Sequence, residues 1–168
     1  GKTLGGTGTA EATGVDFADA AIFVAGHFRD TADVNWSTAS DDDRLSAGIQ
    51  DSFLSKFEDT GGTLSWTKTW GGSSNDVTNA LAIDRTNNDV YVGGYLNGEA
   101  DYDPGPGEEL IGGASGGQGG QDSWISKFNV SGDLQWAKNF GASGHDKIEG
   151  MYAAAGFVYA TGYQKGTG

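Results

Sequence analysis

The chain has 168 residues, a length that can bury a hydrophobic core in one domain. Its 23 acidic residues against 10 basic ones give a formal net charge of −13, which argues against nucleic acid and anionic membrane surfaces as partners. The sequence contains no cysteine, which excludes a disulfide scaffold, and no apolar run of membrane-spanning length, so we expect no membrane insertion.

The chain repeats its own pattern with a period of about 70 residues. The segment DSFLSKFEDTGGTLSWTKTWGG at residues 51–72 returns as DSWISKFNVSGDLQWAKNFGA at residues 122–142. The anchors of the repeat are Asp51 and Asp122, Trp66 and Trp136, Gly71 and Gly141, and the triplet Gly26, Gly94 and Gly162. A repeat of this kind decides the architecture, because each unit must be one supersecondary element.

Each full unit contains four short runs with the composition of β-strands. In residues 52–57, Phe53, Ser55 and Phe57 share one face, as the two-residue period of a strand requires. Residues 59–62 and 130–133 lie between such runs and form turns, where glycine supplies positive φ. With 30 glycines, 2 prolines and no useful run of helical period, the sequence predicts an all-β domain.

Four antiparallel strands per unit predict the blades of a β-propeller, because a single four-stranded sheet is stable only when neighbours cover its faces. A β-solenoid is the alternative, but its rungs are usually about 20–30 residues long. The predicted domain consists of a blade end (1–4), a blade (5–70, insertion 29–50), a second blade (71–140, insertion 97–121) and half a blade (141–168). These are roughly two and a half blades, so we expect further blades of the same chain, or other subunits, to complete the ring.

Both full units also resemble a known family. The pattern DSFLSKF…GTLSWTKTWGGSSND…ALAID…NDVYVGGYL, with its copy DSWISKF…GDLQWAKNFGASGHD, is similar to the repeat of bacterial seven-bladed β-propeller proteins. The segment ADYDPGPG at residues 100–107 resembles an insertion that is frequent in the Bacteroidetes members of that family. The resemblance implies a large secreted or surface-exposed bacterial protein, and it implies no particular reaction.

Acidic residues of the second insertion are the best candidates for a chemical site. Asp101 and Asp103 alternate along one run, and the Pro-Gly-Pro-Gly turn that follows could bring Glu108 and Glu109 back towards them. Carboxylate oxygens in a flexible loop are the ligands that Ca²⁺ requires. The sequence therefore predicts a calcium site at Asp101, Asp103, Glu108 and Glu109, with a solvated acidic loop as the alternative.

Three aromatic residues are candidates for a surface contact. Trp66 and Trp136 recur at the repeat period, which favours packing between blades. Trp36, Tyr102 and Trp124 are less constrained by the repeat, so they are interpreted as residues that contact a partner.

The insertions and the absence of a catalytic motif determine the predicted function. The sequence has no nucleophile elbow, phosphate loop or His/Cys cluster. Both insertions leave the same point of a blade, so they would decorate one rim, where repeat proteins usually place specificity. We therefore expect a non-enzymatic extracellular or cell-surface scaffold that binds another protein or a glycan through its rim loops. The alternative is a carbohydrate-active propeller enzyme that uses paired carboxylates of the insertions.

Overall fold

The computed structural model describes residues 5–35, 43–112 and 120–166 of the chain. Within these ranges the protein is all-β, without a helix, and the named strands pair only in the antiparallel sense, which confirms the predicted fold class at that level. The strands are β1 (Gly5–Gly6), β2 (Thr9–Ala18), β3 (Ala21–Arg29), β4 (Thr31–Asp33), β5 (Asp43–Leu45), β6 (Asp51–Glu58), β7 (Leu64–Gly72), β8 (Asp76–Asp84), β9 (Asp89–Leu96), β10 (Glu99–Asp101), β11 (Leu110–Gly112), β12 (Asp122–Asn129), β13 (Leu134–Phe140), β14 (Lys147–Ala154) and β15 (Phe157–Tyr163).

The sequence repeat corresponds to a repeated antiparallel meander. Strands β2, β3, β6 and β7 are hydrogen-bonded in that order, and strands β8, β9, β12 and β13 repeat the same order. Strands β14 and β15 form a hairpin that repeats the first two strands of a meander. A register shift recurs at the same place in each first strand, between Ala12 and Gly14, between Thr78 and Ala80, and between Ile148 and Gly150. The three units therefore share their strand order and this irregularity.

The meanders stack face to face, and the core fills the spaces between them. Along β3, Phe23 belongs to the apolar cluster shared with the second meander, whereas its neighbour Val24 belongs to a separate cluster on the other face. This alternation is the two-residue period of a strand whose faces are both covered. A third cluster joins Ala82 of β8 to Ile148 of β14. The second meander therefore lies between the first meander and the β14–β15 hairpin.

Polar contacts between the units also recur at the repeat period. The side chain of Asp16 accepts a hydrogen bond from the backbone N–H of Ile83 in the next unit, at 3.2 Å. At the next junction Asp84, which lies two positions further along its strand, accepts one from the N–H of Gly156, at 2.6 Å. The first strands also contact each other, since the Thr13 hydroxyl donates to the Thr78 carbonyl oxygen at 2.9 Å. This contact is repeated one unit later, since Asn79, at the equivalent register shift, donates to the Ile148 carbonyl oxygen at 2.8 Å. The first strands therefore meet in the same way at both junctions.

Each insertion begins as a short two-stranded element, and we call these elements clasps: the first is β4 with β5, the second is β10 with β11. The second clasp pairs with β7, the last strand of the preceding meander, with Ala100 opposite Gly72 and Asp101 opposite Gly71. The first clasp pairs with β1 in the same register, with Ala32 opposite Gly6. Gly5–Gly6 is the sequence equivalent of Gly71-Gly72. The bases of the insertions are thus built into the sheets, and they do not form a separate decoration as the sequence suggested.

The clasp contact requires glycine on the strand that receives it. A Cβ atom at Gly72 would lie 2.8 Å from the carbonyl oxygen of Glu99 and 2.9 Å from the side chain of Ala100. At the equivalent Gly6, which has φ +112°, a Cβ atom would lie 2.8 Å from the carbonyl oxygen of Thr31. A larger residue at either position would separate the clasp from the sheet.

Among the described residues, no helix is long and apolar enough to cross a membrane.

Candidate functional site

The residues predicted to bind calcium form a tight turn after β10. One carboxylate oxygen of Asp101 accepts hydrogen bonds from the backbone N–H groups of Asp103 and Glu109, each at 2.9 Å. The carboxylate of Asp103 accepts one from the N–H of Gly105, at 2.7 Å. These bonds are the usual way in which aspartate stabilises a turn. The two aspartates therefore fold the segment that carries Glu108 and Glu109.

The four acidic side chains are not gathered into a ligand set. In the described part of the chain, no three histidine, cysteine, aspartate or glutamate side chains are placed to hold one metal ion. Glu108 and Glu109 are exposed to solvent, beyond the turn. A similar aspartate contact follows the first strand of the first clasp, since Asp33 at the end of β4 accepts a hydrogen bond from the N–H of Asn35 at 2.8 Å. The turn thus has a structural role in both insertions, and calcium binding stays a prediction.

The interpretation of Tyr102 and Trp124 as surface contacts is wrong, because both side chains are 0% exposed. Their rings lie 4.8 Å apart between centroids and pack around Trp70 of the first meander. Tyr102 is buried because β10 pairs with β7 and the chain then enters the space between the meanders. Trp124 is buried because its face of β12 packs against Trp70 and Tyr102 in the cluster between the meanders. Trp36 lies outside the described residues.

A buried carboxylate, Asp76, connects the second clasp to the core. One of its oxygens accepts the hydroxyl hydrogen of Tyr102 at 3.1 Å, and the other accepts the N–H of Gly72 at 2.8 Å. Burial raises the pKa of Asp76 to about 6, although the hydrogen bonds from Gly72 and Tyr102 oppose this shift. Burial also raises the pKa of the Tyr102 hydroxyl well above its ordinary value. The Tyr102–Asp76 pair therefore fixes the clasp by a buried polar contact.

Asp76 lies near a second aspartate, Asp51, whose charge also raises its pKa, and these two aspartates recur one unit later as Asp122 and Asp146. Asp146 accepts the N–H of Ala142 at 2.6 Å, as Asp76 accepts that of Gly72. Burial raises the pKa of Asp122, and the charge of Asp146 raises it further. Sequence reasoning missed the role of these residues, although their recurrence at the repeat period was a usable signal.

The described part of the second insertion includes an exposed acidic turn, which we define as residues 104–110. Glu108, Glu109 and Leu110 are exposed there, and Leu110 has 51% of its surface in contact with solvent. The turn connects β10 to β11, the two strands of the second clasp. It therefore projects from the edge of the six-stranded sheet to which the clasp belongs. It presents two charges and one apolar side chain on a defined backbone.

No protein-family model matches the chain, and a search of curated proteins gives no match either.

Proposed function

We propose that this chain forms part of an extracellular or cell-surface β-propeller that acts as an interaction scaffold, binding another protein or a glycan. The observation that carries the proposal is the acidic turn, which is exposed while Ala100, Tyr102 and Ile111 of the same insertion are buried. The resemblance of the repeat to bacterial seven-bladed propeller proteins is consistent with this role and with a secreted location.

The propeller architecture is supported by the order and stacking of the meanders. Propeller blades are four-stranded antiparallel sheets arranged around an axis, with their first strands innermost. Here the first strands β2, β8 and β14 are in contact with each other in that order. The Asn79 side chain donates to the Ile148 carbonyl oxygen at 2.8 Å, which joins β8 to β14 as Thr13 joins β2 to β8. A radial arrangement of this kind brings the first strands of successive blades together.

The scaffold role is supported by the way in which the acidic turn is held. Asp101 accepts N–H groups from both sides of the turn, Asp103 and Glu109, so the turn is closed before any partner arrives. A contact loop that is already ordered loses less conformational entropy when it binds. Its exposed glutamates would favour a partner with basic groups, and they would repel an acidic one.

The experiment is a glycan-array screen, combined with a pull-down from bacterial surface material, on the unmodified chain and on Glu108→Gln/Glu109→Gln. We expect a bound glycan or protein that the double variant loses. The matched control is Asp59→Asn/Glu11→Gln, which removes two exposed charges elsewhere and should leave binding unchanged. Equal binding by all three proteins would show that the acidic turn is not the contact. Hydrolysis of an array glycan would support the carbohydrate-active alternative instead.

A further inference from the structure

An open cavity of about 150 Å³ lies at the end of the third unit. Phe140, the last residue of β13, and Gly141 form one wall, and Asp146 and Ile148 form the base. The last residues of β15, including Gly162, form the other wall. We call this cavity the terminal seat.

The terminal seat has a filled counterpart one repeat earlier. The residues that line it, Ser123, Phe140, Gly141, Asp146, Ile148 and Gly162, correspond to Ser52, Trp70, Gly71, Asp76, Thr78 and Gly94. In that earlier position the space is occupied by Tyr102, whose ring lies 6.5 Å from that of Trp70 and whose hydroxyl donates to Asp76. Trp70 is consequently 4% exposed, whereas Phe140 is 48% exposed.

The edge of β15 is open in the same way. In the two complete meanders, β3 is covered by β6 and β9 is covered by β12. Among the described residues β15 pairs only with β14. The effect is visible at equivalent tyrosines, because Tyr91 on β9 is 2% exposed and Tyr159 on β15 is 60% exposed.

The polar base of the terminal seat is suited to a hydroxyl donor. Oδ1 of Asp122 is buried and has no hydrogen-bond partner. This atom lies 2.4 Å from the position that a Cβ atom of Gly141 would take, and Oδ2 of Asp146 lies 2.7 Å from the same point. Two carboxylate oxygens thus converge beside Gly141. In the earlier unit the hydroxyl is received by Oδ1 of Asp76, and the counterpart of that atom, Oδ1 of Asp146, here accepts the backbone N–H of Lys165 at 2.8 Å. An incoming O–H group would take the place of that N–H.

We propose that the terminal seat binds a further copy of this repeat, in which a clasp inserts a tyrosine against Phe140 and the following strand pairs with β15. The tyrosine hydroxyl donates to Oδ1 of Asp146 in place of the Lys165 N–H, as Tyr102 donates to Asp76. The equivalents of Lys127 and Trp136 cover Tyr159, as these residues cover Tyr91 in the second meander. The equivalent of Trp124 covers Phe140 together with the tyrosine, as it covers Trp70. This proposal rests on the propeller part of the proposed function and is independent of the partner that the acidic turn binds.

The test is hydrogen–deuterium exchange on the chain extended after Gln164 by a second copy of residues 97–140. We expect the amides of β15 to exchange at least about tenfold more slowly in the extended chain than in the original one. The amides of β8 and β9 serve as an internal standard, since the added segment should not alter them. Equal exchange of β15 in the two chains would overturn the proposal.

Two controls separate specific docking from a general effect of added chain. Ala160→Lys places a charge on an exposed position whose equivalent, Val92, is fully buried. This variant should fold normally and should abolish the protection of β15 in the extended chain. An extension of the same composition in scrambled order should give no protection. Protection by the scrambled segment would overturn the proposal as well.

A second measurement covers the case in which the extension itself does not fold. A peptide with the sequence of residues 97–140 is added in excess to the unmodified chain, and the exchange of β15 is followed again. Slower exchange that is absent in Ala160→Lys supports the proposal. If neither the extension nor the peptide protects β15, the terminal seat does not bind this repeat. Partner binding through the acidic turn is read separately, so failure here leaves that question intact.

Discussion

At the scale of single residues, aspartate carboxylates accept hydrogen bonds that join separate elements of this protein. Asp16 and Asp84 join successive meanders, Asp101 closes the acidic turn, and Asp76 receives the second clasp. The sequence showed where these residues recur, but it led us to interpret Asp101 and Asp103 as metal ligands. Backbone amides compete for the same carboxylate oxygens, and a pattern of acidic residues does not reveal which use prevails.

The buried Asp76 should make stability depend on pH. Its pKa is about 6 in the folded chain against an ordinary value of 3.8, so the folded state holds the proton more tightly. The free energy of unfolding should therefore fall as pH rises from about 4 to 6, and the loss should be complete above that range. A shift of this size corresponds to roughly 3 kcal/mol. Urea unfolding at a series of pH values measures it.

Asp76→Asn is the matched variant for this dependence. Its amide oxygen can still accept the N–H of Gly72, but it cannot ionise. The slope of stability against pH between about 4 and 6 should be smaller than in the original protein, with a remainder from Asp51 and Asp122, whose pKa values burial also raises. Parallel curves for the two proteins would contradict the assignment.

The two interpretations of Asp101 predict different results on thermal unfolding. As a turn acceptor, Asp101→Ala should cost about 1 kcal/mol, and Asp101→Asn should cost less because the amide oxygen still accepts. As a calcium ligand, Asp101 should let excess Ca²⁺ stabilise the original protein, by about 2.7 kcal/mol at one hundred times the dissociation constant. Asp101→Asn should abolish that response. An unfolding temperature that is identical in Ca²⁺ and in chelator would rule out the calcium site.

At the scale of elements, the repeat was predictable and the clasps were not. Alternating residues in the runs around Phe53 and Trp124 carry enough local information for strands, and the period of about 70 residues showed how they group. The clasp strands β4, β5, β10 and β11 have three residues each, which is too short for a pattern. Strands β4 and β10 form because they pair with a neighbouring sheet edge, at Gly6 and at Gly71 respectively. That pairing is not local in sequence.

The stability contributed by the second clasp can be tested at two adjacent residues of β11. Ile111 is 7% exposed and belongs to the core between the meanders, whereas Leu110 is 51% exposed. Ile111→Asp should therefore lower the free energy of unfolding by roughly 3 kcal/mol or more, because it buries a charge and removes apolar contacts. Leu110→Asp should change it by less than about 0.5 kcal/mol. Urea denaturation compares them, and equal losses would show that the clasp does not face the core.

At the scale of the whole molecule, the sequence indicated that apolar residues lie on both faces of each strand, which requires stacked neighbours. The structure agrees, since Phe23 and Val24 of one strand belong to different clusters. The sequence could not indicate that the junction between the meanders is filled by Tyr102 and Trp124. Burial of an aromatic residue depends on which elements meet, and that information comes from the tertiary fold.

The most direct test of the account is a crystal structure of the chain. The account predicts that β10 pairs antiparallel to β7 with Ala100 opposite Gly72, that Tyr102 lies between Trp70 and Trp124, and that the first strands β2, β8 and β14 lie side by side. These three features together define stacked meanders joined by clasps. A structure in which the second clasp is detached from β7, with Tyr102 in solvent, or in which the meanders join edge to edge into one sheet, would contradict it.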